Sequence, residues 1–317
     1  MLVTNRELLL PARKNSYAVG AFNIQNLESF LAVTEAAVEE KSPVIVAVTP
    51  SAIKYAGLAY LVKIVRTAAE NTPVPMSLHL DHGEDFETVS KCIEAGFTSV
   101  MIDGSFLSFE ENIALTKRVV DLAHSKGVSV EAELGRLAGV EEKTVEEKEA
   151  ILTDPDAAEE FVKRTGVDAL AVAIGTSHGA YKFKGEAKLD FERLKLIAKK
   201  VDIPLVLHGA SSVPAWIIEK ATKYGAELSG AKGIPEEHIK KAISMGISKI
   251  NIDTDLRLAF TAAVREVLAN SPKEFGSSGK LEEDALNESW NFKRRRRRAW
   301  NQRSYTCCCK KGNSMLQ

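Results

Sequence analysis

Two hydrophobic rhythms alternate along the first 270 residues of the chain. Short apolar runs recur at YAVGAFNI (17–24), PVIVAVT (43–49), PMSLHLDH (75–82), SVMID (99–103), SVEAEL (129–134), DALAVAI (168–174), PLVLHG (204–209) and ISKINID (247–253). Between them lie stretches such as LESFLAVTEAAVEE, ENIALTKRVVDLAHSKG, PDAAEEFVKRTG and FERLKLIAKK. In these the apolar residues return at helical spacing, and several end at glycine. The pattern predicts eight strands, seven intervening helices and a last helix over Leu256–Ala269. Strands this apolar are buried on both faces, as in parallel sheets. Eight βα units in about 250 residues predict an α/β protein of the (β/α)8 TIM-barrel kind. A doubly wound open sheet is the runner-up, but it normally carries a glycine-rich turn after its first strand, and AFNIQNLES has none.

Two segments interrupt the rhythm. GRLAGVEEKTVEEKEAILTD (135–154) is long, charged and glycine-bearing at its start, the composition of a mobile lid. AELSGAKGIPEEHIKKAISMG (226–246) predicts a loop and a short helix before the last strand.

Composition narrows the class. The 317 residues are 45% hydrophobic with a formal net charge of -1, which is ordinary for a globular protein. No apolar run approaches the roughly 20 residues of a membrane span. The start, MLVTNRELLLPARKNSY, lacks the pattern of a secretory signal. Cys92 is isolated and Cys307, Cys308 and Cys309 crowd the tail, so no disulfide framework is expected and a cytoplasmic setting is. Residues 1–275 carry 32 basic and 39 acidic side chains, whereas the rest carries 10 and 4. The acidic body gives no reason to expect a specific nucleic-acid partner.

The chemistry lies at the predicted strand ends, where barrel enzymes place it. Read in order these are Asp81-His82, Asp103, Glu133, Ser177-His178-Gly179, His208-Gly209 and Asn251-Ile252-Asp253-Thr254. One histidine at a strand end is commonly structural; three from separate strands point to a metal site. His82, His178 and His208 would hold a divalent ion with positions open to substrate. All-nitrogen ligation suits zinc, with cobalt or another late divalent ion as the alternative. Asp103 and Glu133 could offer a second metal position, although an Asp-Gly turn also explains Asp103. Asp81 neighbours a ligand, and on a regular strand would point the opposite way, which suits a proton shuttle; orienting a histidine is its plainer role. His79 shares a face with Asp81 and reads as structural or supporting, and Glu131 reads as half of a buried ion pair.

The loops after strands seven and eight, Gly209, Ala210, Ser211 and Asn251–Thr254, suit a phosphate cradle of backbone N–H groups and hydroxyls. Gly179 would let a phosphate approach the backbone, with Lys182 as countercharge. A metal beside such a cradle implies a phosphorylated substrate whose carbonyl or hydroxyl the ion polarises. A metal-dependent hydrolase on the same fold would explain the histidines but not the polar quartet of strand eight.

The stretches GAFNIQNLE, LHLDHGEDFE, VMIDGS, VEAELGRLAG, AIGTSHGAYKF, LVLHGASSVP and KINIDTDLRLAF resemble class II, metal-dependent fructose-bisphosphate aldolases. That branch also contains tagatose-bisphosphate aldolases. The resemblance runs to about Phe275 and implies a barrel lyase of carbohydrate metabolism, in glycolysis and gluconeogenesis. It implies zinc on His82, His178 and His208, with Asp103 and Glu133 as the ion's alternative position. Asp81 is implied as acid/base at the C4 hydroxyl, and Glu141 or Glu142 in the lid as the carrier of the C1 proton. Gly179, the Gly209–Ser211 turn and Asn251–Thr254 would hold the dihydroxyacetone phosphate half, with Na+ or K+ nearby; Asn23 and Thr49 are looser candidates for substrate contact. Sugar-bisphosphate and triose-phosphate substrates and a homodimer or homotetramer follow from the same resemblance.

The segment 276–317 departs from the family. It holds an arginine run (Arg294–Arg298), the three adjacent cysteines and no amphipathic period, and it reads as a divergent basic tail, out of frame or disordered. The family's arginine for the far phosphate has no match there, so weaker bisphosphate binding is expected. Its basic run admits one alternative of another class, salt-sensitive binding of polyanions such as nucleic acid.

Overall fold

Each apolar run forms one strand of a closed parallel barrel. The structure, a computed structural model, describes residues 1–140, 144–180, 189–228 and 230–270. In chain order the strands are β1 (Val19–Asn23), β2 (Val44–Val48), β3 (Met76–Gly83), β4 (Ser99–Ile102) and β5 (Ser129–Leu134). A small antiparallel hairpin, β6 (Gly139–Val140) with β7 (Thr144–Val145), follows. The barrel then resumes with β8 (Ala169–Val172), β9 (Leu205–Leu207) and β10 (Ile247–Ile252), and β10 closes on β1. All eight barrel pairings are parallel.

Period-two alternation divides the strand residues between two environments. Val44, Val46, Val48, Leu78, Leu80, Val100, Ile102, Leu205, Leu207, Ile250 and Ile252 belong to the main apolar core with the surrounding helices. Their alternates form the barrel interior, and that interior is split. One part is apolar, built from Val19, Ala21, Ile45, Ala47, Ala169, Ala171 and Val206. The alternates on β3, β5 and β10 are instead the buried polar residues His79, Asp81, Glu131, Glu133, Lys249 and Asn251.

The sequence pattern did not predict the first helix, α1 (Asn5–Lys14). Thr4 caps it in a reciprocal box with Glu7, satisfying two N-terminal donors. Its buried residues Leu8, Leu9 and Ala12 join the apolar part of the barrel interior, so α1 packs against the barrel's own lining. Arg13 adds a tie from this helix to the carbonyls of Val201, at 2.8 Å, and Ile203.

The segment 135–154 leaves the barrel after β5 and returns to it. Arg136 and Ile151 exchange backbone hydrogen bonds at 2.7 and 2.9 Å, and the Thr153 hydroxyl accepts from Ala173 N. Residues 141–143, which include the lid candidates Glu141 and Glu142, lie outside the described residues, as does Lys182. The expected short helix before the last strand is Glu236–Ser244. Among the described residues, no helix is long and apolar enough to cross a membrane.

Candidate active site

Histidines from β3, from the turn after β8 and from the end of β9 meet at the mouth of the barrel. His82, His178 and His208 each offer one ring nitrogen, and all three lie within 4.8 Å of one another. The ring centroids are separated by 4.7 Å (His82–His208), 5.4 Å (His82–His178) and 6.2 Å (His178–His208).

The backbone at His82 is what lets two consecutive residues face this mouth. His82 has φ +51°, the left-handed region, and the β3–β4 register slips between Leu80 and Gly83. A regular strand would turn Asp81 and His82 to opposite sides; the left-handed residue breaks that alternation. Such a conformation costs of order 1–3 kcal/mol and persists where the surroundings over-determine it. His82 is held by Asp103, whose Oδ2 is 3.0 Å from His82 Nδ1.

The hydrogen-bond pattern decides which nitrogens face the centre. His208 Nε2 lies 2.8 Å from Glu131 Oε1, and His82 Nδ1 faces the Asp103 carboxylate. Carboxylates only accept, so each ring carries its N–H on that side. The remaining nitrogens, His82 Nε2 and His208 Nδ1, then confront each other with lone pairs 2.9 Å apart. Two lone pairs at that distance repel unless a cation accepts both. Zn–N bonds of about 2.0–2.1 Å place two nitrogens up to about 4.2 Å apart, so this pair fits a common ion. Carboxylates behind the histidines are the usual support of such ligands. The donor set therefore fits a divalent metal.

The electrostatics agree with that tautomer assignment. Burial pushes the His208 imidazole pKa down, against the opposing influence of Glu131, so the ring is held neutral. Burial alone would raise the Asp103 and Glu131 carboxyls. The hydrogen bond from His82, with bonds from Ser105, holds Asp103 well below the usual carboxylate range. Lys249, then His208 and His79, do the same for Glu131.

Asp81 is fully buried and braced by two amides: Asn23 Nδ2 donates at 2.8 Å and Asn251 Nδ2 at 2.9 Å. Asn23 thus stands beside the candidate proton carrier. Asp103 and Glu133 join His82 in a second group whose ligand atoms lie within 4.8 Å. A cleft open to solvent is lined by His82, Asp103, Phe106, Glu133, Arg136 and His178.

Of the candidate phosphate residues, Gly179 and Gly209–Ser211 lie in loops, whereas Asn251 and Ile252 end β10. Gly209 has φ +60°, and a Cβ there would sit 2.6 Å from Ser177 O, so the residue must be glycine on two counts. Gly179, at φ +86°, directly follows His178. Ala210 and Ser211 are buried. The side chain of Ile252 is in the main core, so only its backbone is available to a ligand. Asp253 accepts from Gln25 Nε2 at 2.6 Å and from Arg257 Nε at 2.8 Å, and Thr254 begins the last helix. Thr49 caps the helix Pro50–Ala56, accepting from Ala52 N at 3.3 Å, a structural duty for that hydroxyl.

Sequence reasoning missed three buried or bridging groups. Asp255 accepts from the backbone N–H groups of Ser212 (2.9 Å) and Val213 (2.8 Å), bracing the turn after β9. Gln25 ties β1 to Asp253. Lys249 is the partner of Glu131; its position two before Asn251 in an apolar strand was the available signal.

The chain matches the family model described as fructose-bisphosphate aldolase class-II over residues 3–227 and 228–300. A fructose-bisphosphate aldolase of Thermus caldophilus is 58% identical over 276 residues, 87% of this chain and 90% of the relative. The D-tagatose-1,6-bisphosphate aldolase subunit GatY of Klebsiella oxytoca is 44% identical over 272 residues, 86% of this chain and 88% of the relative. Among solved structures, the YdjI aldolase of Escherichia coli K12 superposes with a TM-score of 0.78 at 34% identity, covering 96% of this chain and 99% of that one. Sequence, barrel and convergent histidines agree: the chain belongs to the class II fructose-bisphosphate aldolase family.

Proposed function

We propose that this chain is an aldehyde-lyase that reversibly cleaves fructose 1,6-bisphosphate to dihydroxyacetone phosphate and glyceraldehyde 3-phosphate. The observation that carries the reading is the pair of opposed ring nitrogens of His82 and His208, with His178 completing the set. Those three residues would hold a divalent ion, zinc in our reading, which when bound supplies Lewis-acid polarisation of the substrate carbonyl.

The remaining work belongs to the chain's own groups. Asp81 accepts the C4 hydroxyl proton as the C3–C4 bond opens, and the amides of Asn23 and Asn251 keep its carboxylate aimed. The left-handed turn at Gly209 presents backbone N–H groups to the phosphate of the three-carbon half, and Asp255 holds that turn in place. Gly179 and Asn251–Thr254 complete the cradle, with a monovalent cation beside it and Lys182 as countercharge. Glu141 or Glu142 delivers a proton to the former C3, the carbon that becomes the hydroxymethyl group of dihydroxyacetone phosphate. Asp103 and Glu133 form a second resting place for the ion. The active unit is a homodimer or homotetramer in the cytoplasm.

Fructose is favoured over its C4 epimer tagatose by the closer relative, 58% against 44% identity. Coupled turnover assays on both bisphosphates, with and without chelator, test the proposal. Faster chelator-sensitive cleavage of the fructose substrate is expected; preference for tagatose, or cleavage indifferent to chelator, would overturn it.

A further inference from the structure

Behind the three histidines a continuous chain of buried polar groups runs from the metal-facing rings to α1. His208 Nε2 meets Glu131 Oε1 at 2.8 Å. Lys249 Nζ donates to Glu131 Oε1 at 3.0 Å, lies 2.8 Å from Oε2 in the same ion pair, and stands 3.3 Å from His79 Nε2. His79 Nδ1 lies 2.9 Å from Ser99 Oγ and 3.2 Å from the Asn5 amide. Asn5 opens α1, and its backbone N–H reaches Ser129 Oγ at 3.1 Å. Lys249 is 0% and Glu131 1% exposed, a degree of burial that charged residues reach almost only when paired.

Proton directions run consistently along this chain. Lys249 can only donate, so His79 accepts at Nε2 and carries its hydrogen on Nδ1. The buried Asn5 Oδ1 has no partner among the described residues, and turning that amide over gives His79 Nδ1–H an acceptor. At the other end Lys249 engages both carboxylate oxygens, which sets the plane of Glu131 and leaves Oε1 directed at His208. His79, Asp81 and Glu131 also lie close enough to ligate a cation, but the ammonium already bridges two of them.

We propose that Lys249 is a positioning residue for the metal centre: it anchors Glu131 on His208 Nε2, so that His208 presents a bare Nδ1 to the ion. The proposal rests on the three-histidine reading above. Removing the ammonium releases the carboxylate, lets His208 exchange tautomers and weakens metal binding, although Lys249 touches neither ion nor substrate. Losing such outer support typically costs 10–100-fold in metal affinity.

The test is zinc affinity of the full-length chain, stripped of metal and titrated in competition with a chromophoric chelator. Tight binding lost in His178→Ala checks the underlying site independently. Lys249→Met is expected to bind zinc about tenfold or more weakly, with 15N shifts showing His208 no longer confined to the Nε2–H tautomer. Wild-type affinity within twofold, or an unchanged tautomer, would overturn the proposal while leaving the three-histidine site intact. If Lys249→Met does not fold, the comparison is Glu131→Met against Glu131→Met/Lys249→Met, where no charge is stranded in the double variant. Because Lys249 acts through Glu131, the two should bind equally; a further tenfold loss in the double variant would refute that route.

Discussion

His208 Nδ1 stands 2.9 Å from His82 Nε2, across 126 positions of chain. With the opposite nitrogens turned to Glu131 and Asp103, neither ring offers the other a proton. The arrangement makes sense as a cation receptacle, and the expected behaviour of variants follows from it.

Replacing His178 or His208 with alanine removes one of three donors. Bound divalent metal, measured by elemental analysis after dialysis, should fall from about one per chain toward none, with turnover reduced by at least about 10³-fold, as expected for loss of Lewis-acid catalysis. Unimpaired cleavage by either variant would contradict the metal reading.

Asp81→Asn separates proton transfer from metal binding. Asn23 and Asn251 both donate to Asp81, so an amide there keeps the size but not the basicity. The expectation is full metal content, a KM within a few-fold of the parent and a kcat lower by about 10²–10⁴-fold. A variant that instead loses its metal would recast Asp81 as a ligand support.

Gly209→Ala places a Cβ 2.6 Å from Ser177 O at a φ of +60°. Left-handed strain and the backbone clash together should destabilise the protein by about 1–3 kcal/mol. The turn must shift to relieve the clash, so KM for the bisphosphate should rise more than kcat falls. Thermal unfolding and steady-state kinetics report the two effects separately.

Acid should destabilise the metal-free fold from near neutrality downward. Burial, and next the Lys249 ammonium, push the His79 imidazole down to about 3 from its ordinary 6.5. Between those values the unfolded chain binds a proton that the folded chain excludes. Stability is therefore complete above about pH 6.5 and declines as pH falls through this window, by up to ~1.4 kcal/mol per pH unit for this one group. Urea unfolding at about pH 7 and about pH 5 measures the slope. His79→Gln should flatten it, and an unchanged slope would assign the acid sensitivity elsewhere.

Much of this was legible in the chain. The eight runs became the eight barrel strands, with boundaries shifted by at most a few residues, because period-two and helical-period patterns are local properties. The strand-end positions of His82, His178 and His208 pointed to a shared site, and Glu131 on the inward face of an apolar strand announced a buried partner. Helix α1 went unseen although Thr4 and Glu7 carry a capping signature: its apolar face, Leu8, Leu9 and Ala12, is spent on the barrel interior rather than on a neighbouring helix.

What the sequence determined by itself was the order of elements and the kinds of chemical group at each strand end, since both depend on nearest neighbours and on the regular twist of strands and helices. Only the tertiary structure decided which nitrogen of each histidine faces inward, that His82 departs from strand geometry to join Asp81 at the mouth, and that Lys249 answers Glu131. Those outcomes depend on partners 21 to 126 positions away, brought to about 3 Å by barrel closure, and no local pattern encodes a contact whose other half lies on a different strand.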